Sequence, residues 1–388
     1  MINEDNSNNK YIYITPFLTE VERIKKSCKF KRFFEPKYNQ NGNKFDNLNK
    51  LISEGKNIVS THALFHKANM QTVELLKSND YILILDEVFN VIEQCNISKD
   101  DVNMLINEGH ARIENDYLIW NEDKEYDGQF NNIKYLSVNK SIIVYKDVIL
   151  IWMFPVEIFK AFKDAYILTY MFKAQEQYYY YKMNGVKVEY YYAYLDDNKY
   201  RIHIKDNNYD TIEGNIKNKL NELINICDDD KLNAIGDNKY NLSHSWFNSS
   251  NNVSLVKTLK NNIINYFINK NKAKTNTILW TTFKDQKDKL KGKGYTKSFI
   301  SCNLRATNDY SDRYNLAYCI NIFNQPFIKQ FFNSKGIEIN QDLYALSELI
   351  QWLWRSRIRK GESINIYIPS SRMRNLLINW LNDSITSL

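Results

Sequence analysis

The residues with the clearest chemical content are Asp86 and Glu87, which directly follow a hydrophobic run at positions 81–85. Such a run predicts a buried β-strand, and open α/β sheets bind their ligands at the carboxyl ends of the strands. In nucleotide hydrolases a carboxylate at this place holds magnesium, and a second one orients the attacking water. Taken alone, the pattern is equally compatible with a strand that ends in an acidic turn.

A second pair, Arg355 and Arg359, lies four residues apart near the carboxyl end of the chain. The apolar periodicity of residues 341–360 predicts an amphipathic helix that ends at Gly361. On such a helix the two arginines share one face, which suits bidentate binding of phosphate oxygens, as an arginine finger does. The alternative is a basic, solvated helix end that the helix dipole favours.

A third segment, residues 303–310, combines amide side chains with the basic Arg305 and the hydroxyl of Thr307, directly after a predicted strand. Side chains of these types bind phosphate oxygens and position a nucleic-acid strand without reading its bases. Asn and Asp residues form the same pattern in ordinary turns. Both interpretations stay open on the sequence.

These side chains need a scaffold, and the apolar pattern predicts an α/β fold. Continuous apolar runs that alternate with helical segments indicate parallel strands covered on both faces. We therefore expect all strands to be parallel. The predicted strands are residues 11–15, 57–60, 81–85, 165–169, 186–194, 277–282, 298–301, 316–322 and 363–368, and helices are predicted near 254–269, 341–360 and 372–380.

The length of 388 residues suits two domains better than one. We predict a first domain over residues 1–185 and a second over 186–388. Two charged, Asn-rich stretches interrupt the pattern, at about 95–140 and about 205–250. We interpret the first as an insertion and the second as an insertion or a mobile loop.

Composition excludes several classes of protein. A hydrophobic share of 44% with 25% charged residues is typical of a folded chain, and only 11 Gly and 5 Pro exclude a collagen-like one. Five scattered Cys without a C-x-x-C pair indicate a reducing compartment and argue against a disulfide or zinc scaffold. The longest apolar stretch is interrupted at Glu157 and Lys160 and is too short to span a bilayer. We therefore expect a cytoplasmic protein without a membrane partner, and the net charge of +7 is a mild hint of polyanion binding.

The order and spacing of these segments resemble those of the DEAD/DEAH-like helicases of superfamily 2, a kind often carried by phages and mobile elements. The resemblance extends over about residues 11–385. The motif III segment lacks the usual Ser-Ala-Thr. In the order of the helicase motifs Ia, Ib, II, III, IV, V and VI, the similar segments are residues 13–16, 60–65, 86–87, 167–170, 277–283, 303–310 and 351–359.

The resemblance implies two RecA-like lobes with parallel sheets, ATP and Mg²⁺ as cofactors, and single-stranded DNA or RNA as partner. Asp86 would bind the magnesium, and Thr169 would couple hydrolysis to movement of the strand. The implied catalytic residues are Asp86, Glu87, Gln351, Arg355 and Arg359. The implied nucleic-acid-binding residues are Thr15, Pro16, Thr61, His62, Thr282, Lys284, Arg305 and Thr307.

One motif of these helicases is missing, because no G-x-x-x-x-G-K-[ST] precedes motif Ia. Backbone amides of that P-loop cradle the phosphates and its Lys neutralises them, so we expect a severe loss of ATP affinity. The first lobe should lack a strand beside the strand of Asp86, which would leave a gap or an exposed edge.

Three explanations of the missing motif stay open. In the first, a separate polypeptide supplies the P-loop. In the second, the start of the coding region has been placed too late. In the third, the chain is a degenerate helicase that serves as a nucleic-acid-binding, protein-interaction or inhibitory module. Asp86, Glu87, Arg355 and Arg359 together favour an enzyme part, because a pure binding module has no need of the set.

Overall fold

The computed structural model describes residues 2–38, 43–146, 149–197, 199–303 and 309–382. The chain divides into two compact units, one of Met1–Val186 with Gln330–Ile337 and one of Lys187–Lys329 with Glu338–Leu388. Each unit contains a parallel sheet with helices, so the prediction of an α/β fold with parallel sheets is confirmed. Within the described ranges, no helix is both long and apolar enough to cross a membrane.

The first unit is built on a five-stranded parallel sheet that the sequence predicted in outline. Its strands are β1 (Lys10–Thr15), β2 (Phe33–Phe34), β3 (Asn57–Thr61), β4 (Tyr81–Asp86) and, after an intervening subdomain, β10 (Asp164–Leu168). They lie in the order β10-β4-β1-β3-β2. The helices around this sheet are α1 (Leu18–Ser27), α2 (Lys44–Ser53), α3 (His62–Phe65), α4 (Met70–Lys77), α7 (Val156–Lys160) and α8 (Glu176–Met183).

The stretch at about 95–140, predicted as a polar insertion, lies between β4 and β10 in sequence and belongs to an antiparallel five-stranded sheet with its own apolar core. The prediction that all strands are parallel is therefore wrong. Buried residues alternate with more exposed ones along β7 (Tyr117–Trp120) and β8 (Ile142–Tyr145). Most of the charged and Asn residues are exposed or lie in turns, as at Asn115 and Asp116, whose φ angles are 51° and 67°. The sheet order is β5-β9-β8-β7-β6, and the elements are β5 (Ile92–Gln94), α5 (Lys99–Asn107), β6 (Ala111–Glu114), β7 (Tyr117–Trp120), α6 (Asn131–Val138), β8 (Ile142–Tyr145) and β9 (Ile149–Met153).

The second unit begins with an antiparallel hairpin of β11 (Tyr191–Asp196) and β12 (Lys199–Ile204), where one strand over residues 186–194 was predicted. A four-stranded parallel sheet follows, in the order β13-β16-β15-β14. Residues 298–301 form no strand and contribute a single bridge from Phe299 to Trp280. The sheet strands are β13 (Ile224–Ile226), β14 (Ile278–Thr281), β15 (Asn315–Tyr318) and β16 (Ile364–Tyr367).

Helices, not a loop, occupy most of the stretch at about 205–250. The long α9 (Asn207–Leu223) fills its first part, and two short helices follow. The helices of the second unit after α9 are α10 (Asp230–Asn233), α11 (His244–Asn248), α12 (Val253–Ile264), α13 (Lys287–Leu290), α14 (Pro326–Ser334, which continues into the first unit), α15 (Gln341–Leu353) and α16 (Ser371–Leu381).

The helix predicted over residues 341–360 ends early, at Leu353. Ser356 adopts an extended conformation and its hydroxyl donates to the carbonyl of Leu353 at 2.7 Å, which ends the helix and starts a 3-10 turn over Arg357–Lys360. Gly361 closes that turn with φ 74°, so the glycine is a helix cap as expected, although of a different helix.

Candidate functional site

The carboxyl end of the parallel sheet in the first unit carries one row of side chains. The register pairs Thr15 with Thr61 on β3 and Ile14 with Leu85 on β4, which places Thr15 beside Asp86. Asp86 in turn pairs with Leu168 on β10. The fully buried hydroxyl of Thr15 donates to Oδ2 of Asp86 at 3.2 Å. The sheet therefore brings together two of the predicted site residues that lie far apart in sequence.

The environment of Asp86 disfavours its charged form. Burial is the largest influence and raises the pKa of this carboxyl above its usual value, and Glu20 on α1 acts in the same direction. The hydrogen bond from Thr15 and the charge of Arg23 act against that rise. Arg23 is itself paired with Glu20, with 2.5 Å between Nε and Oε2. A bound cation would offset the cost of the buried charge, which fits the predicted role of Asp86 as a magnesium ligand.

Glu87 has an unusual backbone conformation directly after β4, with φ 70°. Side chains other than glycine rarely adopt this left-handed region, and the strain is of the order of 1–2 kcal/mol. The N–H of Glu87 donates to the carbonyl of Leu168 at 3.2 Å, which holds the residue at the end of β10. Two residues later, the N–H of Phe89 donates to Oε1 of Gln177 at 2.8 Å.

Two histidines of the short helix α3 and its end fix the loop that follows Asp86. His62 Nε2 donates to the carbonyl of Asp86 at 3.2 Å, and His66 Nε2 donates to the carbonyl of Asn90 at 2.9 Å. Both rings pack on Phe89. Burial lowers the pKa of His66, so its ring is neutral at physiological pH. The described residues contain no cluster of three or more His, Cys, Asp or Glu that could hold a metal ion. These contacts show that His62 orients the acidic loop.

The other predicted residues of the first unit also lie at the carboxyl ends of the strands. Thr61 caps α3, since its hydroxyl accepts from the N–H of Leu64 at 3.4 Å. Pro16 is half-buried after β1, and the Thr169 hydroxyl donates to the carbonyl of Tyr170 at 3.5 Å. Thr15 has no exposed surface, so it supports Asp86 and does not offer its hydroxyl to a ligand here.

No gap exists beside the strand of Asp86 in the described structure, and that expectation was wrong. β4 lies between β1 and β10 and pairs with both. The end strands of this sheet are β10 and β2, and no described strand pairs with the outer edge of either. β10 is less buried than its neighbour: Leu168 keeps 48% of its surface accessible and Tyr166 is half-buried, whereas β4 is buried up to Leu85.

The predicted residues after β14 differ in accessibility. Thr282 is fully buried, and its hydroxyl has no hydrogen-bond partner among the described residues. Thr282 is therefore not accessible to a nucleic-acid strand in this structure. Lys284 is exposed in a 3-10 turn, beside Asp285, which pairs with His244 Nε2 at 3.0 Å. Arg305 and Thr307 lie outside the described residues.

Because α15 ends at Leu353, Arg355 and Arg359 do not share the face of one helix, and that premise was wrong. Gln351 is half-buried in the last turn of α15, Arg355 lies half-buried in the turn after it, and Arg359 is exposed in the 3-10 turn. Each of the three side chains takes part in an interaction within the protein. The sequence therefore predicted one helix with both arginines on one face, whereas the structure places them in two successive turns after α15.

Two further arginines of the second unit have structural roles that the sequence did not indicate. The guanidinium of Arg357 lies 4.0 Å from the ring centre of Tyr314. The side chain of Arg372, only 9% exposed, donates to Oδ1 of the buried Asn321 at 2.8 Å and forms an ion pair with Asp342 at 2.7 Å. No local pattern marks these residues, because their partners lie on other elements.

Comparisons with known proteins agree with this subdivision. The chain matches the YonV middle domain over residues 92–152, which is the antiparallel subdomain, and the YonV C-terminal Rossmann-like domain over residues 218–381, which includes the parallel sheet of the second unit. It is also 47% identical over 393 residues to the SPbeta prophage-derived uncharacterized protein YonV of Bacillus subtilis (strain 168), and the match covers 99% of this chain and 94% of that protein. The chain therefore belongs to the YonV family.

Proposed function

We propose that this protein is the helicase-like part of an ATP-dependent machine that unwinds or remodels DNA or RNA in replication or recombination, with two RecA-like lobes. One observation carries the proposal. At the carboxyl end of the parallel sheet in the first unit, Asp86 accepts a hydrogen bond from Thr15, and the next residue, Glu87, has a strained backbone conformation. Strain and a perturbed carboxyl pKa concentrate at functional sites. All five cysteines are free thiols, which supports a cytoplasmic setting.

ATP and Mg²⁺ are the proposed cofactors. Magnesium is commonly held by one or two carboxylates together with the substrate phosphates, so Asp86 suffices as a protein ligand. Glu87 would orient the attacking water, and Gln351, Arg355 and Arg359 would stabilise charge on the phosphates. The sequence has no P-loop for those phosphates. We expect little ATP hydrolysis by this chain alone.

A separate polypeptide that carries the P-loop is the proposed partner for hydrolysis. The outer edge of β10 supports this idea, because a strand added there would continue the sheet next to Leu168, which pairs with Asp86. Main-chain hydrogen bonds along an open edge are a common means of adding a strand from another chain. The exposed apolar side chains of β10 would then gain cover.

The test is an ATPase assay of the purified chain, alone and mixed with a polypeptide encoded beside it that contains G-x-x-x-x-G-K-[ST]. We expect activity only in the mixture. Replacing Arg355 should then reduce the rate by about 10³–10⁵, by analogy with other arginine fingers. Glu87→Gln should abolish turnover, whereas Glu93→Gln, at an exposed carboxylate of β5, should not. Turnover by the chain alone that Glu87→Gln removes would show that another segment binds the phosphates.

Nucleic-acid binding is the second part of the proposal. Thr61, His62 and Lys284, with Arg305 and Thr307, would contact the backbone of a single strand, so binding should be weak, independent of sequence and sensitive to salt. Fluorescence anisotropy with labelled oligonucleotides at increasing salt measures it. Binding that is absent at low salt, or that salt does not weaken, contradicts the nucleic-acid function.

A non-catalytic module is the alternative function, in which the helicase-like fold binds nucleic acid or inhibits another protein. The buried hydroxyl of Thr282 and the early end of α15 favour it, because both depart from the expected site. This alternative predicts nucleic-acid or protein binding without ATPase in any mixture, and it predicts that Glu87→Gln leaves that binding unchanged.

A further inference from the structure

The hairpin of β11 and β12 separates apolar and polar residues onto opposite faces. Its antiparallel register pairs Tyr191 with Ile204, Ala193 with Ile202, and Leu195 with Tyr200. Directly paired residues lie on the same side of a hairpin, and alternate residues of each strand share that side. One face is therefore entirely apolar or aromatic. We call it the apolar hairpin face, and it consists of Tyr191, Ala193, Leu195, Tyr200, Ile202 and Ile204.

The whole apolar hairpin face is exposed. Tyr200 keeps 78% of its surface accessible and Leu195 keeps 60%, while the two isoleucines and Tyr191 are about half exposed. These values are high for side chains of this size and polarity. A contiguous exposed apolar patch on a folded protein usually marks an interaction site.

The opposite face of the same hairpin has different surroundings. It pairs Tyr192 with His203, Tyr194 with Arg201 and Asp196 with Lys199, as the same register requires. The ring of Tyr209, at the start of α9, lies 5.4 Å from that of Tyr192. The chain therefore packs an aromatic ring against the polar face and leaves about half or more of the surface of the large side chains on the apolar face accessible.

A two-stranded hairpin is marginally stable in water, and here the chain packs against only one of its two faces. We propose that a second copy of this chain covers the apolar hairpin face, so that two hairpins pack face to face about a two-fold axis. The proposal goes beyond the function proposed above and does not rest on it.

The shape and chemistry of the face fit such an arrangement. A two-fold interface must be self-complementary. Here the small Ala193 and the branched Ile202 lie in the middle. Each end carries one tyrosine with one aliphatic residue, so the Tyr191 end of one copy can meet the Tyr200 end of the other. The six residues carry no formal charge, and the nearest carboxylate is that of Glu189, whose Oε2 accepts from the Tyr191 hydroxyl at 2.9 Å. With the Tyr191 end of one copy against the Tyr200 end of the other, the Glu189 carboxylates of the two copies lie at opposite ends of the contact. At their exposed fractions, these side chains present on the order of 600 Å² per copy, somewhat below the roughly 800 Å² of a standard interface, which predicts a weak dimer.

The test is sedimentation velocity of the full chain over a range of concentrations, comparing two matched substitutions in β11. Leu195→Asp places a carboxylate on the apolar hairpin face. Tyr194→Asp places the same charge at the preceding position, on the polar face and opposite Arg201. The wild type and Tyr194→Asp should form dimers with rising concentration. Leu195→Asp should weaken the dimer at least about 100-fold, because each dimer would bury two unpaired carboxylates. Equal melting temperatures confirm that both variants fold.

A wild type that stays monomeric up to about 100 µM, or a dimer that both substitutions affect equally, overturns the proposal. The same three proteins are tested for binding to phosphatidylcholine–phosphatidylglycerol vesicles and to a labelled oligothymidylate. If the wild type is monomeric and Leu195→Asp alone loses one of these ligands, the face belongs to a lipid surface or to nucleic acid and not to a second copy.

Discussion

Replacing Thr15 by Val tests the hydrogen bond at the centre of the candidate site. The change keeps the branched shape of the side chain and removes the hydroxyl that donates to Asp86 at 3.2 Å. Thr15 is fully buried, so water cannot readily replace the lost donor. A hydrogen bond to a charged group contributes about 1.5–3 kcal/mol. For a unit of this size, a loss of about 2 kcal/mol lowers the melting temperature by roughly 4–8 °C.

The assay is denaturant or thermal unfolding of the wild type, Thr15→Val and the control Thr15→Ser, which keeps the hydroxyl. Thr15→Ser should retain most of the stability that Thr15→Val loses. A double-mutant cycle with Asp86→Ala isolates the pair, and the coupling free energy should be about 1.5–3 kcal/mol at about pH 8. At a pH below the raised pKa of Asp86 the carboxyl is neutral, so the coupling should fall to about 0.5–1.5 kcal/mol.

A coupling free energy near zero at alkaline pH would refute the reasoning, since it would mean that Thr15 does not stabilise the ionised Asp86. A coupling that rises as the pH falls would also contradict it. Equal stability of Thr15→Val and Thr15→Ser would show that the hydroxyl makes no net contribution, and the site would then have to be explained without this bond.

Three further outcomes follow from individual residues. Asp86→Asn should raise the free energy of unfolding at neutral pH, because burial raises the pKa of Asp86 above 3.8, and the gain should vanish as the pH falls below that value in unfolding titrations. Glu87→Gly should relieve the strain at φ 70° and stabilise by about 0.5–1 kcal/mol in denaturant melts, while Glu87→Ala should not. Gly236→Ala should destabilise the second unit by more than about 3 kcal/mol in calorimetry, because the new Cβ would lie 1.9 Å from the carbonyl oxygen of Pro369. The control is Gly336→Ala, where the space is open and φ is 74°, and it should lower the free energy of unfolding by only about 1–2 kcal/mol.

Local sequence determined most of the first parallel sheet. The apolar runs at positions 11–15, 57–60 and 81–85 are strands, and the acidic pair follows the third of them at the carboxyl end of the sheet. A continuous apolar run is a local property, and a strand buried on both faces requires it. For the same reason, the sequence alone predicted that Asp86 and Glu87 lie at the carboxyl end of a sheet strand.

Only the tertiary structure decided which elements pair. The antiparallel subdomain, the contact of Thr15 with Asp86 and the open edge of β10 all depend on residues distant in sequence. The period of a strand shows which residues share a side, but it does not show what covers that side. Ser356 likewise ends α15 through its own backbone conformation and hydroxyl bond, against the apolar periodicity that continues past it. Short polar strands and helix ends are set by long-range packing and by single hydrogen bonds, which the composition of a window of sequence does not contain.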